Sequence, residues 1–166
     1  MEATEATRAQ PAGPSGVPCE APGPAIFAYD GSDLAAYAIE QAAIQLAPDR
    51  EALVVCVWQP ADVGFRPVKG RHLHAAAANE VEEAARETAE HGAEVAERVG
   101  FRARPLTVEA APTWKGLVEV ANEYKCGLIV IGSHQRSGLI GHIAGSVAAA
   151  TVSHFESSVL VIHKPQ

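Results

Sequence analysis

Aromatic residues are scarce in this chain of 166 residues: Phe, Trp and Tyr together make up 5%. Any core must be assembled from Val, Ile, Leu and Ala, and an apolar content of 48% supplies enough of them for one domain. Cysteine is rarer still. Cys19, Cys56 and Cys126 form an odd set with no metal-ligand spacing, which excludes a disulfide framework and a cysteine-based zinc site. Cys56 inside "LVVCVW" and Cys126 just before "GLIVI" read as small buried thiols rather than reactive ones. Basic surface is lacking as well: the net charge is −7 with no block of like charges, which argues against binding the phosphate backbone of nucleic acid. The apolar runs fall short of the roughly 20 residues that a membrane span needs. The N-terminus also lacks the basic start and apolar stretch of a secretion signal. These absences together predict a reduced, cytoplasmic protein without membrane or nucleic-acid partners.

What is present begins with a tail. Residues 1–24 are rich in Pro, Ala and Gly and, apart from Met1, hold one Val as their only bulky apolar side chain, too little to offset the entropy of ordering. The expected domain therefore occupies residues 25–166. Within it, short apolar runs alternate with helical periodicity. "AIFAY" (25–29) is a strand, and Leu34, Ala35, Ala38, Ile39, Ala42 and Leu46 share one face of the helix that follows. "ALVVCVW" (52–58) is a second strand, followed by a loop over 59–70 and a long helix over about 73–99 that stops at Gly100. Glu82–Arg86 and Glu94–Arg98 are spaced for ion pairs on the wet side of that helix. "RPLTVEA" (104–110) is a third strand whose Pro105 cannot donate to a ladder, so it belongs at a sheet edge. A short helix over "TWKGLVEVANEY", the strand "LIVI" (128–131), a glycine-bearing loop, a helix and the strand "VLVI" (159–162) complete the pattern.

Unbroken apolar strands imply a sheet covered on both faces. Right-handed crossovers then give an α/β fold, an open, doubly wound, parallel five-stranded sheet of order 3-2-1-4-5. Strands 1 and 4 meet at its switch point, where ligands bind beyond the carboxyl ends of the strands. Two segments leave the sheet there. The first is "YDGSD" (29–33), in which Asp30 either accepts from ribose hydroxyls or helps turn the chain with Gly31 while Ser32 caps the helix; both roles can coexist, with Ser32 or Asp33 as the cap and Asp30 left free. The second is the loop after strand 4, with Gly132, Gly138, Gly141 and Gly145 among its residues. It fits neither GxGxxG nor GxxxxGK[ST]. Yet Gly145-Ser146 opens a helix, where free N–H groups, the positive dipole end and a hydroxyl suit an anion, and His134, Arg136 and His142 make the loop locally basic. Close packing of two backbones is the competing use of Gly141 and Gly145.

With these residues in view, the chain resembles the universal stress proteins from Ala25 to Pro165. The likeness is carried by a strand running into "DGS", the "VIGS" strand–loop junction, the "GSV" helix start and the closing "VLVI" strand. It implies a Rossmann-like fold of the adenine nucleotide alpha hydrolase-like type. ATP-binding members of that family carry Gly, two residues, Gly, nine residues, then Gly-Ser or Gly-Thr. Gly132, Gly145 and Ser146 fill their places at that spacing, while Gln135 stands where the second glycine belongs. A Gln there either fills the phosphate space and strains a positive φ, or donates its amide to a phosphate oxygen. The resemblance implies adenine and ribose against Ala28, Tyr29, Asp30 and Val57, with Ile131 and Gly132 beneath, and phosphates on Gly145, Ser146 and Val147. For Val57 and Ile131 plain sheet packing is the competing role.

The resemblance further implies ATP, or AMP or ADP, as ligand, with Mg²⁺ held by phosphate and water, and a homodimer formed through the last strand. A non-enzymatic, nucleotide-binding stress-response regulator is the leading expectation. A dimeric interaction module of the same fold without nucleotide is the first alternative, and a slow ATPase or nucleotidyl transferase the second. No further chemistry is legible. The seven histidines supply no third ligand to His72 and His74 or to His134 and His142, Ser146 lacks a G-x-S-x-G setting, and Trp58 and Trp114 read as packing residues.

Overall fold

The computed structural model describes residues 23–59, 78–133 and 146–165. Five strands, β1 (Ala25–Ala28), β2 (Glu51–Trp58), β3 (Arg102–Glu109), β4 (Leu128–Ser133) and β5 (Ser158–His163), form one parallel sheet of order β3-β2-β1-β4-β5. Four helices, α1 (Asp33–Gln45), α2 (Ala78–Arg98), α3 (Thr113–Glu123) and α4 (Ser146–His154), alternate with them. The architecture is the one the apolar pattern predicts. The first part of the long helix, expected from about residue 73, and the glycine-bearing loop before Ser146 lie outside the described residues.

Alternation along the inner strands divides the core in two. Phe27, Val54 and Val130 face α1 and α2, joined there by Ala38, Ile39 and Ala96. Ile26, Val55 and Ile129 face the opposite way, against Leu117 and Val120 of α3 and Ala148 of α4. Because both faces are covered, every second residue of a strand can be apolar without exposing the others, which explains the unbroken runs. Phe27 and Phe101 meet edge to face, with ring centroids 5.0 Å apart. Cys56 and Cys126 are both buried, as their apolar settings predict, and burial raises the Cys126 thiol above its ordinary value despite Arg50 nearby.

Pro105 lies in β3 opposite Val54, and β3 is an edge strand. Gly100, at φ 97°, closes α2 in the left-handed conformation, with Phe101 N–H donating to the Ala96 carbonyl at 3.1 Å. The surface charge pairs differ from the spacing-based expectation. Arg86 bonds Glu83 and Glu90 rather than Glu82, and no Glu94–Arg98 bridge forms among the described residues. A guanidinium flanked by carboxylates three residues before and four after has both within reach, and such exposed pairs contribute only a few tenths of a kcal/mol each.

Candidate functional site at the switch point

The chain leaves β1 at its carboxyl end through Tyr29 and Asp30 and turns at Gly31, whose φ is 80°. Asp30 Oδ1 accepts from the Ser32 N–H at 3.0 Å, and Ser32 Oγ accepts from the Ala35 N–H at 3.1 Å, so the turn is tied down before α1 begins. Ser32 thus caps, and the exposed Asp30, rather than staying free of the turn, commits Oδ1 to it and has no hydrogen bond at its other oxygen among the described residues. The two uses of this segment are compatible.

Above the carboxyl ends of β2, β1 and β4 lies a cleft of about 320 Å³. Ala28, Tyr29, Asp30, Val57, Ile131, Gly132 and Val147 all line it. Residues nominated from four separate stretches of sequence are thereby brought together. Ser146 opens α4 beside Val147. Gln135 and Gly145 lie outside the described residues. The walls are largely aliphatic, and the volume falls in the range of small-molecule sites.

Two of these residues carry structural duties of their own. Tyr29 borders the cleft, but its ring belongs to the α1–α2 side of the core, where its hydroxyl meets His91 Nδ1 at 2.8 Å. Gly92 lets the ring in, since a Cβ on Gly92 would lie 2.6 Å from Tyr29 Cδ1. Burial, reinforced by the Asp30 charge, pushes the Tyr29 hydroxyl up to about 12. A raised pKa means that folding favours the protonated phenol. The associated stability is fully present below pH ~10, the unfolded value, and is lost as pH rises through ~12. Alkaline denaturation is expected to remove on the order of 2 kcal/mol across that window, a loss that Tyr29→Phe abolishes in pH-dependent unfolding curves.

Gly132 is the second case. A Cβ there would stand 2.8 Å from Leu34 Cγ and 2.9 Å from the Leu34 carbonyl oxygen, so the start of α1 passes directly over it. Space, independent of any ligand, requires glycine at this motif position.

Thr113 and Leu117 of α3 also line the cleft, as do Leu34 and Ser133. Sequence reasoning missed the contribution of α3. The available signal was topological: every crossover helix of a parallel sheet begins at the carboxyl ends of the strands, so α3 starts beside the same opening as α4. The Tyr29–His91 contact, by contrast, joins residues 62 positions apart and has no local signature. No group of His, Cys, Asp and Glu suited to a metal occurs among the described residues. None of their helices is long and apolar enough to cross a membrane.

The family model described as "Universal stress protein family" matches residues 24–163. The chain belongs to the universal stress protein family. Solved structures agree on the fold. A universal stress protein family member from Burkholderia pseudomallei is 25% identical with a TM-score of 0.57, over 84% of this chain and 95% of that one. The Archaeoglobus fulgidus universal stress protein in complex with dAMP is 21% identical with a TM-score of 0.58, over 84% and 97%. A universal stress protein in complex with cAMP is 22% identical with a TM-score of 0.58, over 86% and 98%. No curated protein sequence matches the chain.

Proposed function

We propose that this universal stress protein binds an adenine nucleotide, with ATP as the leading ligand, in the cleft at the switch point and acts as a non-enzymatic stress-response regulator in the cytoplasm. One observation carries the reading: Asp30, with one carboxylate oxygen unbonded among the described residues, and the first turn of α4 border a single aliphatic cleft of about 320 Å³. A carboxylate suits ribose hydroxyls, the aliphatic walls suit a base, and a helix start suits phosphate. The complexes of two fold relatives with dAMP and cAMP support the same ligand class. The family resemblance assigns the phosphates to Gly145, Ser146 and Val147, with Gln135 at the altered motif position. Bound ATP brings Mg²⁺, which neutralises phosphate charge and is held by phosphate and water. The folding unit of residues 25–166, preceded by the tail of residues 1–24, belongs to the same proposal.

The reading includes a homodimer. β5 is an edge strand whose Val159, Leu160, Val161 and Ile162 are half-buried in the isolated chain, and an edge this apolar needs a cover. Calorimetric titration with Mg-ATP tests the ligand. Heat saturating at one nucleotide per subunit is the expected result, and absence of heat at millimolar nucleotide contradicts it.

One observation favours a dimeric module without nucleotide. Since packing against Leu34 already demands glycine at position 132, the motif survives in part for a reason unrelated to phosphate. The variant Gln135→Gly separates the two readings. If Gln135 obstructs a competent site, Gln135→Gly tightens Mg-ATP binding about fivefold, the equivalent of relieving a strain of on the order of 1 kcal/mol. Weaker binding identifies the amide as a phosphate ligand.

A further inference from the structure

The cleft has two poles. α3 packs chiefly over β2 and also reaches β1 and β4, whereas α4 packs over β4 and β5, so the opening runs from the first turn of α4 to the first turn of α3. A nucleotide with its phosphates on α4 directs its base toward Val57, Leu117 and Thr113. Most polar side chains along that path are committed. Ser32 Oγ holds the Ala35 N–H, Asp30 Oδ1 holds the Ser32 N–H, and Ser133 is engaged. Thr113, a half-buried residue at the α3 end, has a hydroxyl with no hydrogen-bond partner among the described residues. The helix start around it has no side-chain cap, because its N-cap is Pro112, although the Lys115 N–H donates to the Pro112 carbonyl at 3.0 Å.

From this juxtaposition we propose that Thr113 reads the polar edge of the base and sets base specificity, an inference that rests on the nucleotide reading above. A hydroxyl donates and accepts at once, so it can meet an amino group or a ring nitrogen of a purine. Its setting strengthens the effect. The side chains of Val57 and Leu117 offer no hydrogen bond, so a base whose edge fails to match Thr113 loses a partner along an aliphatic wall. Trp114, stacked on His154 at 4.0 Å between ring centroids, stands next in the chain and supplies a fluorescence signal at the same pole.

Calorimetric titration of the wild-type protein and of the Thr113→Val and Thr113→Ser variants tests this, with Mg-ATP and with ribose 5-triphosphate, which lacks the base. Valine keeps the shape of threonine and removes the hydroxyl. Thr113→Val is expected to weaken Mg-ATP binding about 3- to 10-fold, the loss of one neutral hydrogen bond, while ribose 5-triphosphate binding stays unchanged. Thr113→Ser should restore Mg-ATP affinity to within about twofold of wild type, since it returns the same donor and acceptor. Wild-type affinity for Mg-ATP in Thr113→Val, or equal weakening of both ligands, overturns the assignment of Thr113 alone. Failure of the wild-type protein to bind Mg-ATP overturns the nucleotide reading, and this inference with it.

Discussion

Replacing Asp30 with alanine is expected to weaken Mg-ATP binding about 10- to 100-fold, because a hydrogen bond from a ribose hydroxyl to a charged acceptor contributes about 1.5–3 kcal/mol. The stability cost should be small. Asp30 is exposed and contributes one turn bond, to the Ser32 N–H, while the helix keeps its cap through Ser32 Oγ. Loss of that exposed bond costs about 0.5–1 kcal/mol. Titration calorimetry and thermal melting on the same sample separate the two effects. A melting temperature that falls sharply with affinity intact would return Asp30 to a purely structural role. Asp30→Asn sharpens the comparison: its amide oxygen can still accept from Ser32 while the charge is gone, so affinity should fall and the turn should persist.

Gly132→Ala should act through packing first and binding second. The added methyl meets Leu34 at both its side chain and its carbonyl oxygen, and a backbone atom cannot rotate away. Overpacking of this kind costs about 1–3 kcal/mol, or roughly 3–10 °C in melting temperature for a chain of this size. Because Leu34 lies only two residues past the Asp30–Ser32 turn, displacing it also moves the carboxylate, and nucleotide affinity should fall along with stability. Adding Leu34→Ala to Gly132→Ala relieves the side-chain clash but leaves the carbonyl contact, so a double-mutant cycle should show partial restoration. An unchanged melting temperature for Gly132→Ala would refute the close approach of α1 to β4.

The two glycine-bearing segments show what could be read in advance. Strand order, the edge position of β3 and the capping role of Ser32 follow from chemistry local to the chain: an apolar run, a proline without an N–H, a hydroxyl three residues before an unpaired amide. The gathering of Ala28, Asp30, Val57, Ile131 and Val147 around one cleft came from the family resemblance, and the topology accounts for it, since a parallel doubly wound sheet brings the strand ends and the starts of their crossover helices together. Contacts between distant segments were not legible. That Gly132 yields to Leu34, that Gly92 admits the Tyr29 ring and that Tyr29 bonds His91 depend on how helices settle on the sheet. Spacing on a helix also misjudged Arg86, which had acidic neighbours in both directions along α2 and took Glu83 and Glu90. Thr113 escaped notice for a related reason. A threonine opening a helix is ordinary in sequence, and it becomes informative only when the residue is found lining a cleft with no hydrogen-bond partner for its hydroxyl among the described residues.

The most direct measurement is a crystal structure of the full chain grown with Mg-ATP. The account predicts nucleotide in the cleft between Asp30 and the start of α4, with its ribose on the Asp30 carboxylate and its base against Val57 and Thr113. Nucleotide bound elsewhere, or a cleft that stays filled by protein side chains at saturating Mg-ATP, would contradict it.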